Sequence, residues 1–172
     1  MAIYKKILKV SSIMLLLIMI AGCGKKIDNS PESFDTAKFP RDKQGYPKSN
    51  VAIINGKEFS INDLSKSKTS DDSNNTIDLT DVKSGDRIEI ILPQYLPINL
   101  WNIEENEEID LLNYEKIDLS VKQDVEGKSS FVQKFTFTTN DTNVIFKWCN
   151  ARECDKSFSE KKKDSLLQLN LI

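Results

Sequence analysis

The chain from residue 76 to its end alternates apolar and polar residues in short runs. The apolar members of these runs are Ile77 and Leu79; Ile88, Ile90 and Leu92; Ile117, Leu119 and Val121; Phe131, Phe135 and Phe137; Val144, Phe146 and Trp148; and Leu167, Leu169 and Leu171. Successive side chains of a strand point to opposite faces, so each run predicts a strand with one buried face.

Turn-forming residues separate these runs. They are Gly85, Pro93, Pro97, Gly127 and the pair Asn140-Asp141. Residues 98–103, around Trp101, predict one more strand. About seven short strands in about 100 residues are typical of a β-sandwich. We therefore predict a mostly β fold, with an Ig-like antiparallel β-sandwich over residues 76–172.

A β-hairpin is predicted just before the sandwich, over residues 51–59. Asn55-Gly56 stands between two apolar runs, and both residues tolerate the positive φ of a tight hairpin turn. The sequence Ser60-Ile61-Asn62-Asp63 then resembles a capping box and predicts a short helix to about Lys66. A polar loop follows, so residues 51–75 form a hairpin, a short helix and a loop.

Residues 23–50 are rich in Lys, Asp, Ser, Pro and Gly and show no apolar period. Such a composition predicts a flexible tether. Phe34, Phe39 and Tyr46 interrupt it; packing onto the domain is one interpretation, but isolated aromatic residues in a linker are more often exposed.

The first 22 residues divide into the parts of a secretory signal peptide. Lys5, Lys6 and Lys9 form a basic start, residues 13–20 are uncharged and apolar, and two small residues follow. The alternative is a retained transmembrane helix. Only about a dozen apolar residues follow Lys9, whereas a spanning helix needs ~20. A signal helix that is removed is therefore the preferred interpretation.

Ile20-Ala21-Gly22-Cys23 resembles the lipobox of bacterial lipoproteins, an aliphatic residue and two small residues before a cysteine. The resemblance implies that the lipoprotein signal peptidase recognises Ile20, Ala21 and Gly22. It also implies a lipid on the Cys23 sulfur, which becomes the new N-terminus. The protein is then expected on the extracytoplasmic face of the cell membrane. The alternative is a cysteine that ends an ordinary signal peptide by chance.

The chain contains no histidine. This excludes Ser-His-Asp and Cys-His nucleophilic catalysis, and also His-ligated metal sites. No motif for other catalysis is present, so we predict a protein that is not an enzyme and has no catalytic residues, metal or cofactor beyond the lipid. No basic stripe is present, so a nucleic-acid partner is not expected. We expect a monomer.

Cys149 and Cys154 are the cysteines that remain once Cys23 is assigned to lipid. Outside the membrane, two spare cysteines this close in sequence favour a disulfide. A redox-active pair would have Cys-x-x-Cys spacing, and zinc would need two more soft ligands. The acidic run over residues 104–110 is interpreted as a solvated loop face.

Residues 82–93, followed by Trp101, are similar to the chagasin family. The shared pattern is Val-x-x-Gly-Asp, an alternating strand that ends in Leu-Pro, a loop and then a tryptophan. Residues 131–149 also resemble the family's later hairpin. Chagasin-like proteins are Ig-like inhibitors of papain-type cysteine proteases. The resemblance implies that loops near residues 93–100, 126–130 and 149–158 contact a protein partner. The partner implied by the family is a papain-type cysteine protease.

The loops themselves depart from the family pattern. The loop before Trp101 lacks the family's Thr-Gly, and the family's Arg-Pro-Trp is absent from residues 149–154. The predicted partner-binding residues are Tyr95, Leu96, Pro97, Ile98, Gly127 and Arg152. The alternative hypothesis is a structural or accessory envelope lipoprotein that helps folding or assembly and inhibits nothing.

Overall fold

The computed structural model describes residues 33–65, 75–104, 106–121, 125–152, 154 and 166–172. The predicted signal helix and lipobox lie outside these residues. The described strands are β1 (Val51–Ile54), β2 (Lys57–Ser60), β3 (Thr76–Leu79), β4 (Arg87–Pro93), β5 (Asn99–Ile103), β6 (Ile109–Asp118), β7 (Phe131–Thr139), β8 (Asn143–Asn150) and β9 (Leu166–Leu171). A 3₁₀ turn spans Thr36–Lys38. No helix in the described part of the chain is long and apolar enough to span a membrane.

The strands form two sheets that pack as a sandwich. The five-stranded sheet has the order β2-β1-β4-β7-β6, and the four-stranded sheet has the order β3-β9-β8-β5. In immunoglobulin nomenclature, β1, β4, β7 and β6 occupy the positions of strands A, B, E and D, and β5, β8 and β9 those of C, F and G. The predicted Ig-like sandwich is therefore confirmed.

One strand pair departs from the antiparallel prediction. β3 pairs with β9 in parallel, with Ile77 opposite Leu169. β1 belongs to the five-stranded sheet, whereas β3 has crossed to the edge of the four-stranded sheet and there runs in the same direction as the last strand. The period-two pattern does not encode strand direction, so this parallel pairing was not predictable from it.

The predicted hairpin is confirmed as β1 and β2. Asn55 and Gly56 form its turn with φ of 47° and 78°. The helix predicted after it is wrong for the residues that are described, because residues 61–65 form no helix. The carboxylate of Asp63 instead accepts hydrogen bonds from the Ser49 hydroxyl at 2.5 Å and the Ser65 N–H at 3.0 Å. These contacts close a turn against the preceding segment.

The main core lies between the two sheets. Alternate residues of β4 and β7 point into it and meet the inward residues of β8 and β9. The rings of Phe135 and Phe137 lie 5.2 and 5.9 Å from the Phe146 ring, both in edge-to-face geometry. The alternation in the sequence predicted these inward faces correctly.

A buried glutamine joins the two sheets across this core. Gln133, on β7, accepts a hydrogen bond from the backbone N–H of Trp101 at 2.7 Å and donates one to the Trp101 carbonyl at 3.0 Å. The Trp101 indole N–H in turn donates to the carbonyl of Pro93 at 3.0 Å. β5 is an edge strand, so the Gln133 carboxamide takes the place of the missing neighbouring strand. We call this arrangement the Gln133 clamp.

β6 was predicted at the wrong position. The alternation of Ile117, Leu119 and Val121 predicted a strand there, whereas β6 spans Ile109–Asp118. Its register shifts between Leu111 and Asn113, which marks a β-bulge. A bulge reverses the alternation, and most side chains of this edge strand are exposed. The sequence pattern of β6 was therefore not recognisable.

A second, smaller core covers the outer face of the five-stranded sheet. Ile53 on β1, Ile91 on β4 and Val132 on β7 are buried there. Phe39 packs against them and is 2% exposed. Residues 33–50 therefore lie against the sheet, where the sequence predicted a tether; we call this segment the strap. Tyr46 is also buried, so exposure was the wrong expectation for both aromatic residues.

Polar contacts hold the start of the strap on the same face. Glu89 and Lys134 form an ion pair at 2.9 Å, with their side chains 7% and 11% exposed. The Phe34 N–H donates to the Glu89 carboxylate at 2.9 Å, and Lys134 contacts the Ser33 hydroxyl. These buried charges are thus paired with each other and with the strap, which offsets the cost of their desolvation.

The burial of Phe39 predicts that the strap stabilises the sandwich. We expect Phe39→Ala to lower the free energy of unfolding by about 3–5 kcal/mol, because it removes a large side chain from a packed site. Leu112→Ala is the control; Leu112 is 51% exposed on β6, so a change within about 0.5 kcal/mol is expected. Urea unfolding followed by tryptophan fluorescence measures both. Equal effects of the two substitutions would show that the strap adds no stability.

Candidate functional site

Three loops meet at one end of the sandwich. The first loop, residues 94–98, connects β4 to β5; the second, residues 119–130, connects β6 to β7; the third begins at residue 151 after β8. The Ser129 N–H donates to the Tyr95 carbonyl at 3.1 Å, and the Ala151 N–H donates to the Ile98 carbonyl at 3.0 Å. The first loop therefore lies between the other two and is hydrogen-bonded to both.

A buried glutamine that sequence reasoning missed fixes the shape of the first loop. Gln94 is 2% exposed, and its side-chain NH₂ donates to the carbonyls of Pro97 at 3.1 Å and Leu96 at 3.4 Å. The Asn99 N–H also donates to the Leu96 carbonyl at 3.2 Å. The carbonyls of residues 95–98 are thus all engaged within the domain, and the loop is held in one conformation.

The tip of the first loop is apolar and exposed. Ile98 is 63% exposed and Pro97 is also exposed, whereas Tyr95 and Leu96 are half-buried. The predicted apolar loop therefore divides into two parts, one that packs on the domain and one that faces solvent. A rigid loop loses little conformational entropy when it binds, so its exposed apolar tip is suited to contact with another protein.

The second loop turns at Gly127. This glycine is exposed and has a φ of 81°, and the Lys128 N–H donates to the Val125 carbonyl across the turn at 3.1 Å. Apart from its chain neighbours, no atom of the described residues lies within 4 Å of the position that a Cβ would take. The positive φ is the reason for glycine at this position, since the space around it would admit a larger side chain.

A carboxylate supports the base of the second loop. Asp118 accepts hydrogen bonds from the Ser130 hydroxyl at 2.6 Å and the Ser120 N–H at 2.9 Å. These two hydrogen bonds, the Ser130 one foremost, hold the pKa of Asp118 below its ordinary value. Asp118 is therefore ionised at neutral pH and joins the two ends of the loop.

The predicted disulfide fixes the start of the third loop. Cys149 and Cys154 are bonded, with their Cα atoms 5.4 Å apart. Cys149 lies opposite Leu100 of β5, so the bond lies directly beside the strand that leaves the first loop. Arg152 is exposed, and its N–H donates to the Asn150 side chain at 3.0 Å. The remainder of the loop, up to residue 165, is described only at Cys154.

The strap reaches this end of the sandwich and contacts the second loop. Lys128 forms an ion pair with Asp42 at 2.9 Å, and the Val125 N–H donates to the Tyr46 hydroxyl at 2.6 Å. Partial burial raises the pKa of Asp42, but hydrogen bonds from Lys128 and from backbone N–H groups outweigh it and leave the pKa below its ordinary value. Sequence reasoning missed these residues; the aromatic residues of the strap were the only signal.

The described residues hold no group of three or more acidic or cysteine side chains that is placed to bind a metal ion. In the acidic run, Glu104 is half-buried and pairs with Lys147 at 2.7 Å. Glu107 and Glu108 are exposed at the turn before β6. The described residues of the run thus provide one ion pair and a solvated turn.

The geometry defines the class of protein as an Ig-like β-sandwich with a cluster of three loops at one end. Comparisons of the chain with protein-family models, with curated proteins and with solved structures find no match. The predicted lipid site Cys23, and the signal peptidase recognition residues Ile20, Ala21 and Gly22, lie outside the described residues.

Proposed function

We propose that this protein is a membrane-anchored, extracytoplasmic lipoprotein whose loop cluster binds a protein partner. The observation that carries this proposal is the convergence of three loops at one end, with the exposed tip of the first loop held by hydrogen bonds from its neighbours. Burial of a side chain such as Ile98 contributes ~1.5–3 kcal/mol, and two further loops supply the surrounding contacts.

The sharpest form of the proposal is inhibition of papain-type cysteine proteases. The resemblance to chagasin-like proteins supports it, and so does the presence of three loops at one end, since all three must reach the same cleft. The first loop would enter the active-site cleft of the protease with Pro97 and Ile98. Its carbonyls are already engaged inside the domain, so side chains would provide most of its contacts.

The second candidate is an accessory role in the envelope, without protease inhibition. An independent observation favours it. Leu111, Leu112 and Tyr114 are 43–51% exposed on β6, an edge strand, and they lie nearer its start than the end that leads into the second loop. Exposed apolar residues on a strand edge are suited to contact with another envelope protein.

Membrane attachment through Cys23 has a direct test. We expect the chain, expressed in a bacterium with a lipoprotein-processing pathway, to incorporate labelled palmitate and to sediment with membranes. Cys23→Ser should abolish both, because serine cannot form the thioether. Cys149→Ser is the matched control and should keep the label. A Cys23→Ser chain that still incorporates palmitate would contradict the assignment.

Inhibition is tested by titration of papain with the purified chain in non-ionic detergent. We expect inhibition at or below micromolar concentration, and at least tenfold weaker inhibition by Ile98→Asp, because a buried carboxylate costs free energy in an apolar contact. Ile172→Asp is the control; Ile172 is 72% exposed at the far end of β9. If the wild-type chain does not inhibit papain, the protease-inhibitor proposal is wrong and the accessory role is favoured.

A further inference from the structure

A basic cleft lies between the strap and the loop cluster. Its volume is about 430 Å³, and the charged residues among its described lining are Arg41, Lys43, Lys48, Lys128 and Asp42. Buried strap residues and part of the second loop form its other walls. The cleft is as large as many small-molecule sites, which measure ~300–1,000 Å³.

The charges of the described residues that line this cleft do not cancel. Asp42 is the one carboxylate among them and is already paired with Lys128 at 2.9 Å. Arg41, Lys43 and Lys48 then have no carboxylate partner among the described residues of the cleft. The whole chain carries a net charge of −2, so this concentration of positive charge is opposite in sign to the rest of the molecule.

The guanidinium of Arg41 is held in place by two hydrogen bonds and still has N–H groups that are not used in them. It is half-buried, and its Nη1 atom donates to the carbonyls of Leu119 at 2.7 Å and Gly45 at 3.2 Å. The three remaining N–H groups, on Nε and Nη2, have no acceptor among the described residues. A fixed guanidinium with free N–H groups is suited to bidentate binding of an oxyanion.

Two lysines add charge beside this guanidinium. Lys43 and Lys48 are exposed, and neither side chain forms an ion pair or hydrogen bond within the described part of the chain. Both are free to turn towards a ligand in the cleft. The guanidinium and the two ammonium groups carry three positive charges, more than one carboxylate would neutralise. They match an anion that has several oxygen atoms.

We propose that this cleft binds a phosphate group. The acceptor is either the phosphodiester of an anionic phospholipid headgroup or a free phosphate. The headgroup alternative depends on the proposed lipid anchor at Cys23. Ser33 follows Cys23 by ten residues, which span at most about 35 Å when extended. The strap would therefore bring the cleft within reach of the membrane surface, where such headgroups are concentrated.

The test is isothermal titration calorimetry on the full chain in non-ionic detergent. The probes are sn-glycero-3-phosphoglycerol, a headgroup without acyl chains, and inorganic phosphate, with glycerol as the uncharged control. We expect saturable binding of a phosphate-bearing probe. The double substitution Lys43→Gln/Lys48→Gln should weaken it at least tenfold, and Arg41→Lys should also weaken it. Lys83→Gln, an exposed lysine at the other end of the sandwich, should leave it unchanged.

Each outcome decides the proposal. Tighter binding of the phosphodiester supports a lipid headgroup, and binding of inorganic phosphate alone supports the site with a soluble ligand. Binding of neither probe, or equal binding by the wild-type chain and the double variant, overturns it. Soluble probes require no lipid on Cys23, so this result is independent of the palmitate experiment. Failure of the cleft can thus be distinguished from failure of the anchor.

Discussion

The Gln133 clamp is the interaction on which the rest of the structure depends. It lies in the core, where Gln133 has no exposed surface, and it satisfies both backbone groups of Trp101 on an edge strand. Its NH₂ group also donates to the Tyr114 hydroxyl of β6 at 3.1 Å. Each of the two Trp101 backbone groups, left buried and unpaired, would cost about 1–3 kcal/mol. The clamp therefore fixes the position of β5 relative to β7 and β6.

The position of β5 determines the geometry of the loop cluster. The first loop follows Pro93, whose carbonyl accepts a hydrogen bond from the Trp101 indole N–H, and precedes Asn99, where β5 begins. Both ends are thus attached to the clamp within a few residues. Gln94 then orders the short segment between them. The exposed Pro97–Ile98 tip has a fixed shape because its supports are buried.

The strap extends this order to the outer face of the sandwich. β4 is buried on both faces, so the five-stranded sheet needs a cover that the four-stranded sheet does not supply. Phe39 provides it, with Phe34 packed against the same cluster, and the strap then pairs with the second loop through Asp42. The strap therefore stabilises the domain, supports the loops and forms one wall of the basic cleft.

Local patterns predicted the features that depend on local chemistry. Alternation gave the strands with one buried face, Asn55-Gly56 gave the hairpin turn, and the close spacing of Cys149 and Cys154 gave the disulfide. The bulge in β6 was missed because it reverses the alternation. The buried strap was missed because two isolated aromatic residues carry no period. The roles of the two glutamines depend on contacts that the folded chain alone brings together.

The central claim is that the Gln133 clamp holds an otherwise unpaired edge strand. Hydrogen exchange at the backbone amide of Trp101, followed by NMR, tests it most directly. We predict that this amide exchanges as slowly as that of Phe137 in the centre of the sandwich, and that Gln133→Leu speeds its exchange selectively. A Trp101 amide that exchanges as fast as that of Gly127, in the exposed turn of the second loop, would contradict it.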